Sequence, residues 1–193
     1  MAAVENGTYT EYIYDRDNII AEYDKNEQRT NRYVRGEDLI FQKNKQASIS
    51  YYLHNAHGDV TKLVDSAGNV RNSYSYDAFG NITSYVEQVE NRFRYTGEQF
   101  DTATGQIYLR TRYYDPKIGR FTQENPYRGD GLNLYTYVSN NPVKYIDPTG
   151  LAKCTAAQNF DKALDGLQTA LDIAGFIPGL GDTLDAVNLG MLH

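Results

Sequence analysis

Short runs in which apolar and polar residues alternate fill the first part of the chain, and each run ends in a polar or glycine-containing stretch. Residues 9–14, 18–23, 28–34, 39–41 and 49–53 follow this period of two, the pattern of strands with one face buried. Further on the turns become explicit. Residues 65–69 read DSAGN and 77–81 read DAFGN, and related stretches run over 101–105 and 115–119. An aspartate accepts hydrogen bonds from amides a few positions on, and a glycine takes the positive φ that reverses the chain, so each motif predicts a hairpin turn. A spacing of roughly a dozen residues predicts consecutive antiparallel hairpins. Segment 107–113 alternates too: Ile107, Leu109, Thr111 and Tyr113 form one face of an expected strand, and Tyr108, Arg110 and Arg112 the other.

After Leu151 the period changes. Phe160, Leu164, Leu167, Leu171 and Ala174 recur at intervals of three and four, which predicts an amphipathic helix from an N-cap at Thr155 to Gly175. A connector reading FIPGLG follows, and Asp182 can cap a second helix carrying Leu184, Val187 and Met191. Residues 121–151, FTQENPYRGDGLNLYTYVSNNPVKYIDPTGL, hold three turn signals and mark the boundary. The expected architecture is mainly β over 1–151, in antiparallel hairpins, with a short α-helical hairpin over 152–193.

Composition narrows the function classes. Eighteen tyrosines against 7 phenylalanines and no tryptophan, with 16 glycines and a negative mean hydropathy, fit β-structure with much half-buried surface, not a large dry core. The net charge of −6, with 19 Lys and Arg dispersed among the acids, excludes a general nucleic-acid binder. The one cysteine, Cys154, makes neither an intrachain disulfide nor a thiolate metal set. The first residues lack a secretory signal, and no run approaches the roughly 18 apolar residues that span a bilayer. His54, His57 and Asp59 are close in sequence, but positions 54 and 57 face opposite sides of a strand and no further ligands complete a tetrahedral set, so no metal is assigned. No GxSxG elbow, phosphate loop or HExxH occurs, and no cofactor is expected.

The motifs in series carry a resemblance. YIYD at 12–15, HGDVT at 57–61, YSYDAFGN at 74–81, RYYDPKIGRFT at 112–122, NLYTYVSNNP at 133–142 and DPTGL at 147–151 resemble the YD repeats and terminal core of the Rhs family. The resemblance implies the last part of a long shell of spiralling strands that encloses a toxic C-terminal domain, and 152–193 is similar to a pre-toxin linker. The implied function is a structural scaffold that encapsulates and presents a toxin in bacterial antagonism. Its implied partners are the remainder of the shell, the toxin domain, and an immunity protein or secretion-system component. The implied location is secreted or envelope-associated, as part of a larger protein. The residues after Asp182 are too few for a folded toxin, so a truncated or orphan fragment is the alternative. Open sheet edges predict self-association.

Two chemistries follow from the resemblance. Family members cut their own chain after the leucine of DPxGL, here between Leu151 and Ala152, by two carboxyls that share a proton. Asp147 matches one of them. At the other position stands Asn125, followed by Pro126, and an asparagine accepts no proton at neutral pH. Asp130 and Glu124 are the nearest substitutes, and Asn125→Asp is expected to restore cutting. Asp147 also fits an ordinary turn aspartate that bonds backbone amides. The second chemistry is glycan binding by a carbohydrate-binding YD module, with exposed Tyr108 and Tyr114 beside Arg110 and Arg112; cross-strand tyrosine pairing accounts for the same residues.

Overall fold

The computed structural model describes residues 2–5, 7–36, 38–129 and 131–155. Nine strands, β1 (Ala2–Glu5), β2 (Thr8–Asp15), β3 (Asn18–Tyr23), β4 (Arg29–Arg35), β5 (Leu39–Asn44), β6 (Ile49–His54), β7 (Val60–Asp65), β8 (Val70–Tyr76) and β9 (Ile82–Glu87), form one open sheet. Each pairs antiparallel with its neighbour in sequence. A second sheet of four strands, β10 (Gln99–Phe100), β11 (Ile107–Leu109), β12 (Arg112–Asp115) and β13 (Arg120–Phe121), follows in the same up-and-down order, and β14 (Tyr145–Ile146) pairs with β15 (Cys154–Thr155). The fold is mostly antiparallel β in open sheets, as the alternation predicts. The expected helical hairpin lies outside the described residues. Thr155, expected to cap its first helix, is the last residue of β15 and pairs with Tyr145.

One turn design recurs at both ends of the large sheet. Asp65 Oδ1 accepts the amides of Ala67 (3.0 Å) and Asn69 (2.9 Å), and Gly68 sits at φ 84°. Asp77 does the same for Phe79 and Asn81, with Gly80 at 89°. The turns led by Asp24, Asn44 and Asn55 repeat the bond from the first side chain to the fifth amide. Two of these put Glu27 (58°) and Ala47 (63°), not glycine, at the left-handed position, which is why the sequence shows them as weaker turns.

Every second strand points a tyrosine to the same face: Tyr12, Tyr33, Tyr52 and Tyr74, all buried with Ile19, Leu39, Val60, Leu63 and Phe93. The rows between them are polar, with Glu22, Asn31, Gln42, Ser50 and Asn72 buried on that face. Burial of so many polar groups requires partners, and residues 88–94 supply them by running back across the sheet as a strap. Gln42 Nε2 donates to the Glu90 carbonyl (2.9 Å), Tyr52 Oη to Gln42 Oε1 (2.6 Å) and Asn91 Oδ1 (3.1 Å), and Arg92 Nε to Glu22 Oε1 (2.7 Å). Asn72 is fully buried; its Nδ2 donates to Tyr74 Oη and the Val89 carbonyl, and its Oδ1 accepts from Gln88 and Val89. Asn72→Ala strands these backbone groups, and a loss of about 2 kcal/mol in urea unfolding is expected. An unchanged midpoint would mean that the strap is not seated in solution.

The structure corrects segment 107–113. It is two strands joined by a tight turn at Arg110 and Thr111, with Arg110 at φ 61°. Register reverses there, so Ile107 and Leu109 share the buried side with Arg112 and Tyr114, while Tyr113 points out.

Candidate functional site

The turn between β11 and β12 and the loop from Tyr145 to Thr155 meet at Arg112. Its side chain is almost fully buried and fans out to three acceptors: Nε to the Gly150 carbonyl, Nη1 to the Leu134 carbonyl (2.9 Å), and Nη2 to Asp147 Oδ2 (3.4 Å). The guanidinium lies 3.4 Å above the centre of the Phe121 ring, so one face is cation–π contact and the edge is all hydrogen bonds. Phe121, Tyr114 and Tyr137 pack around it, with Tyr114 and Tyr137 stacked at 4.0 Å.

This hub fixes Asp147. Asp147 Oδ1 accepts from Thr149 Oγ1 (3.3 Å) and from the amides of Leu151 (3.1 Å) and Ala152 (3.2 Å). The turn-aspartate geometry and the site geometry therefore coincide in one residue. Burial pushes the Asp147 carboxyl above the usual carboxylate range, and the amides, Arg112 and Thr149 only partly offset it. Asn125 is buried across from it. Asn125 Nδ2 donates to the Leu151 carbonyl at 2.8 Å, and its Oδ1 accepts from the amide of Tyr127. The peptide unit between Leu151 and Ala152 is thus gripped at both ends, its oxygen by Asn125 and its N–H by Asp147.

Chemically, a donor at the carbonyl oxygen polarises it toward attack, and a carboxyl with a raised pKa beside the amide nitrogen can exchange a proton there. Asn125 itself moves no proton. Of the substitutes, Glu124 is exposed and paired with Arg128 at 2.9 Å, pointing away into solvent, and Asp130 lies outside the described residues. Sequence reasoning missed Arg112 and Gly150 as parts of the site. The sequence carries no local signal for Arg112: it lies in LRTRYYDP beside Arg110, and its buried acid, Asp147, is 35 residues away.

The four glycan-binding candidates do not form an exposed surface. Tyr114 is fully buried and donates to the Phe79 carbonyl at 2.8 Å, and Arg112 is buried as described. Tyr108 packs against its cross-strand partner Tyr113, with ring centres 5.0 Å apart and planes tilted by 44°. Arg110 ties three parts together, donating to Glu98 Oε1 (2.8 Å), Asn18 Oδ1 (3.2 Å) and the Pro148 carbonyl. His54 ends β6 and His57 lies in the following turn; among the described residues no group of three His, Cys, Asp or Glu side chains is placed to hold a metal.

Comparison with known proteins matches the same elements. The family model described as teneurin YD-shell aligns with residues 1–143. The tRNA3(Ser)-specific nuclease WapA of Bacillus spizizenii is 40% identical over 156 residues, which is 75% of this chain and 7% of that protein. The toxin subunit YenC2 of Yersinia entomophaga is 39% identical over 95 residues, 46% of this chain and 10% of that one. Among solved structures, the crystal structure of TcdB2-TccC3 superposes with a TM-score of 0.59 at 26% identity, over 75% of this chain and 7% of that chain. The chain thus spans less than a tenth of the length of WapA and of TcdB2-TccC3. With three quarters of its length matched by that model and the meander, turn motifs and tyrosine rows in place, the chain belongs to the Rhs/YD-repeat shell family.

Proposed function

We propose that this chain is the closing segment of a β-shell that encloses and presents a C-terminal toxin, and that the bond between Leu151 and Ala152 is a cleavage junction held shut by Asn125. The names of the relatives support the toxin setting, and the observation that carries the junction is the double grip of Asn125 and Asp147 on one peptide unit. The open outer sides of β1 and β9 would be paired by the rest of the shell; β9 leaves Tyr85 and Val86 exposed. The toxin domain, the remaining shell and an immunity or secretion protein are the proposed partners, in a secreted assembly.

In the cutting reaction, one carboxylate takes a proton from water as the oxygen attacks the Leu151 carbonyl carbon. A second, protonated carboxyl stabilises the carbonyl oxygen, and the proton then passes to the Ala152 nitrogen as the C–N bond breaks. Asp147 fills one role. Asn125 supplies the hydrogen bond of the other without the proton, so the junction is positioned and inert.

Intact-mass analysis after incubation tests this. The full chain is expected to stay at 21.9 kDa, and Asn125→Asp to yield a fragment ending at Leu151, faster at mildly acidic than at neutral pH because the pair then shares one proton. If both chains remain whole at every pH, the carboxyl pair is wrong. If the unaltered chain is cut, Asn125 does not hold the junction shut.

A further inference from the structure

Where the turn between β2 and β3, the end of β4 and the small sheet meet, Asn18, Arg35, Phe93, Glu98, Tyr108 and Arg110 line one cleft that opens to solvent, together with the exposed Asp17. Centres of water-sized groups range over about 10 Å³ inside it. That is room for a water or the head of a carboxylate, and too little for a sugar ring. The two cations of this cleft are unequally matched. Arg110 spends three of the five N–H groups of its guanidinium on Glu98 Oε1 (2.8 Å), Asn18 Oδ1 (3.2 Å) and the Pro148 carbonyl, so its charge and that of Glu98 answer each other. Arg35 has no such acid. Its Nε is buried without a hydrogen-bond partner, its guanidinium carbon lies 4.6 Å from the centre of the Phe93 ring, and among the described residues no carboxylate pairs with it.

A cation whose Nε is out of water and lacks an acceptor is costly unless an anion is brought to it. The Phe93 ring supplies part of the compensation. Burial pulls the Arg35 guanidinium down and pushes the Glu98 carboxyl up, yet an arginine keeps its proton, so the charge of Arg35 remains to be met. We propose that this cleft is a carboxylate-binding site, in which the Arg35 guanidinium and the N–H groups that Arg110 has to spare hold the two oxygens of an acidic group. A planar fork of donors matches a carboxylate and has no such match to a halide. Because Arg110 also holds the Pro148 carbonyl, an occupant ties the ends of β3 and β4 to the turn between β11 and β12 and to the loop bearing Asp147. The site stands whether or not the bond after Leu151 is cut.

NMR titration of the full chain tests it, following the Arg35 Nε–Hε resonance with acetate and with aspartate blocked at both termini, against chloride at equal ionic strength. Both carboxylates are expected to shift the resonance saturably in the millimolar range, the scale for so few ligand atoms, and chloride is not. Equal or tighter binding of the blocked aspartate identifies an acidic side chain of a packing segment as the occupant. Acetate bound and blocked aspartate refused identifies a small free acid. Arg35→Lys keeps the charge without the fork and should weaken binding at least about fivefold, read from the side-chain amide of Gln99, which also lines the cleft. No saturable shift in the unaltered chain, the same shift with chloride, or undiminished binding in Arg35→Lys overturns the site. Binding that shows only in Asp17→Asn means that Asp17 is the acid Arg35 already uses, and overturns it as well. Should Arg35→Lys not fold, the unaltered chain decides alone, through the contrast between carboxylate and chloride.

Discussion

Arg112→Ala is expected to lower stability by about 3–5 kcal/mol, the loss typical of breaking a buried ion pair by removing one partner. The variant leaves the Asp147 carboxyl buried without its cation, strips the Gly150 and Leu134 carbonyls of their donor, and opens a cavity above Phe121. Arg112→Lys keeps the charge but cannot reach three divergent acceptors at once, so it should recover only part of the loss. Urea unfolding followed by far-ultraviolet circular dichroism measures both. A loss under about 1 kcal/mol for the alanine variant would mean that the pair is solvated in solution and that Asp147 does not depend on it.

Gly150→Ala is expected to cost about 3 kcal/mol through two causes acting together. Gly150 sits at φ 68°, and a Cβ there would lie 2.5 Å from the Leu109 carbonyl oxygen and 3.1 Å from the Arg112 amide. Both are backbone atoms flanking a two-residue turn, so neither can withdraw without unpairing β11 from β12. Gly68→Ala is the control, since φ there is also positive, at 84°, but nothing lies within 4 Å. It should cost only about 1–2 kcal/mol, the steric cost of a Cβ in the left-handed region. Thermal midpoints that fall equally in the two variants would show that close approach at Gly150 contributes nothing.

The large sheet was legible because its information is local. Alternation marks each strand, and Asp65 or Asp77 with its glycine marks each turn, so strand limits such as 18–23 could be read directly. The segment at Arg110 was not legible. Its alternation continues through Thr111 without a glycine, asparagine or proline, and the left-handed residue is an arginine held there by Glu98, Asn18 and the Pro148 carbonyl, all distant in sequence. That slip turned Tyr114 and Arg112 outward and suggested a glycan surface. The burial of polar Gln42 and Asn72 was not legible either, because the strap that satisfies them is recognisable only in three dimensions. Asn125, Asp147 and the bond after Leu151 were legible as a group through their order in a motif series. Their mutual geometry was not, since it depends on Arg112.

The pairing of every strand in the large sheet with its sequence neighbour has a consequence for synthesis. Such contacts close small loops and form early, whereas Arg110 reaches Asn18 across 92 residues and Arg112 reaches Asp147 across 35. A chain growing from its N-terminus can lay down all nine strands before residue 125 exists. The peptide unit after Leu151 enters its grip last, once β11 to β13 have given Arg112 a place to stand. The hydrogen bonds of Asn125 and Asp147 to that peptide unit thus form on strands that are already paired.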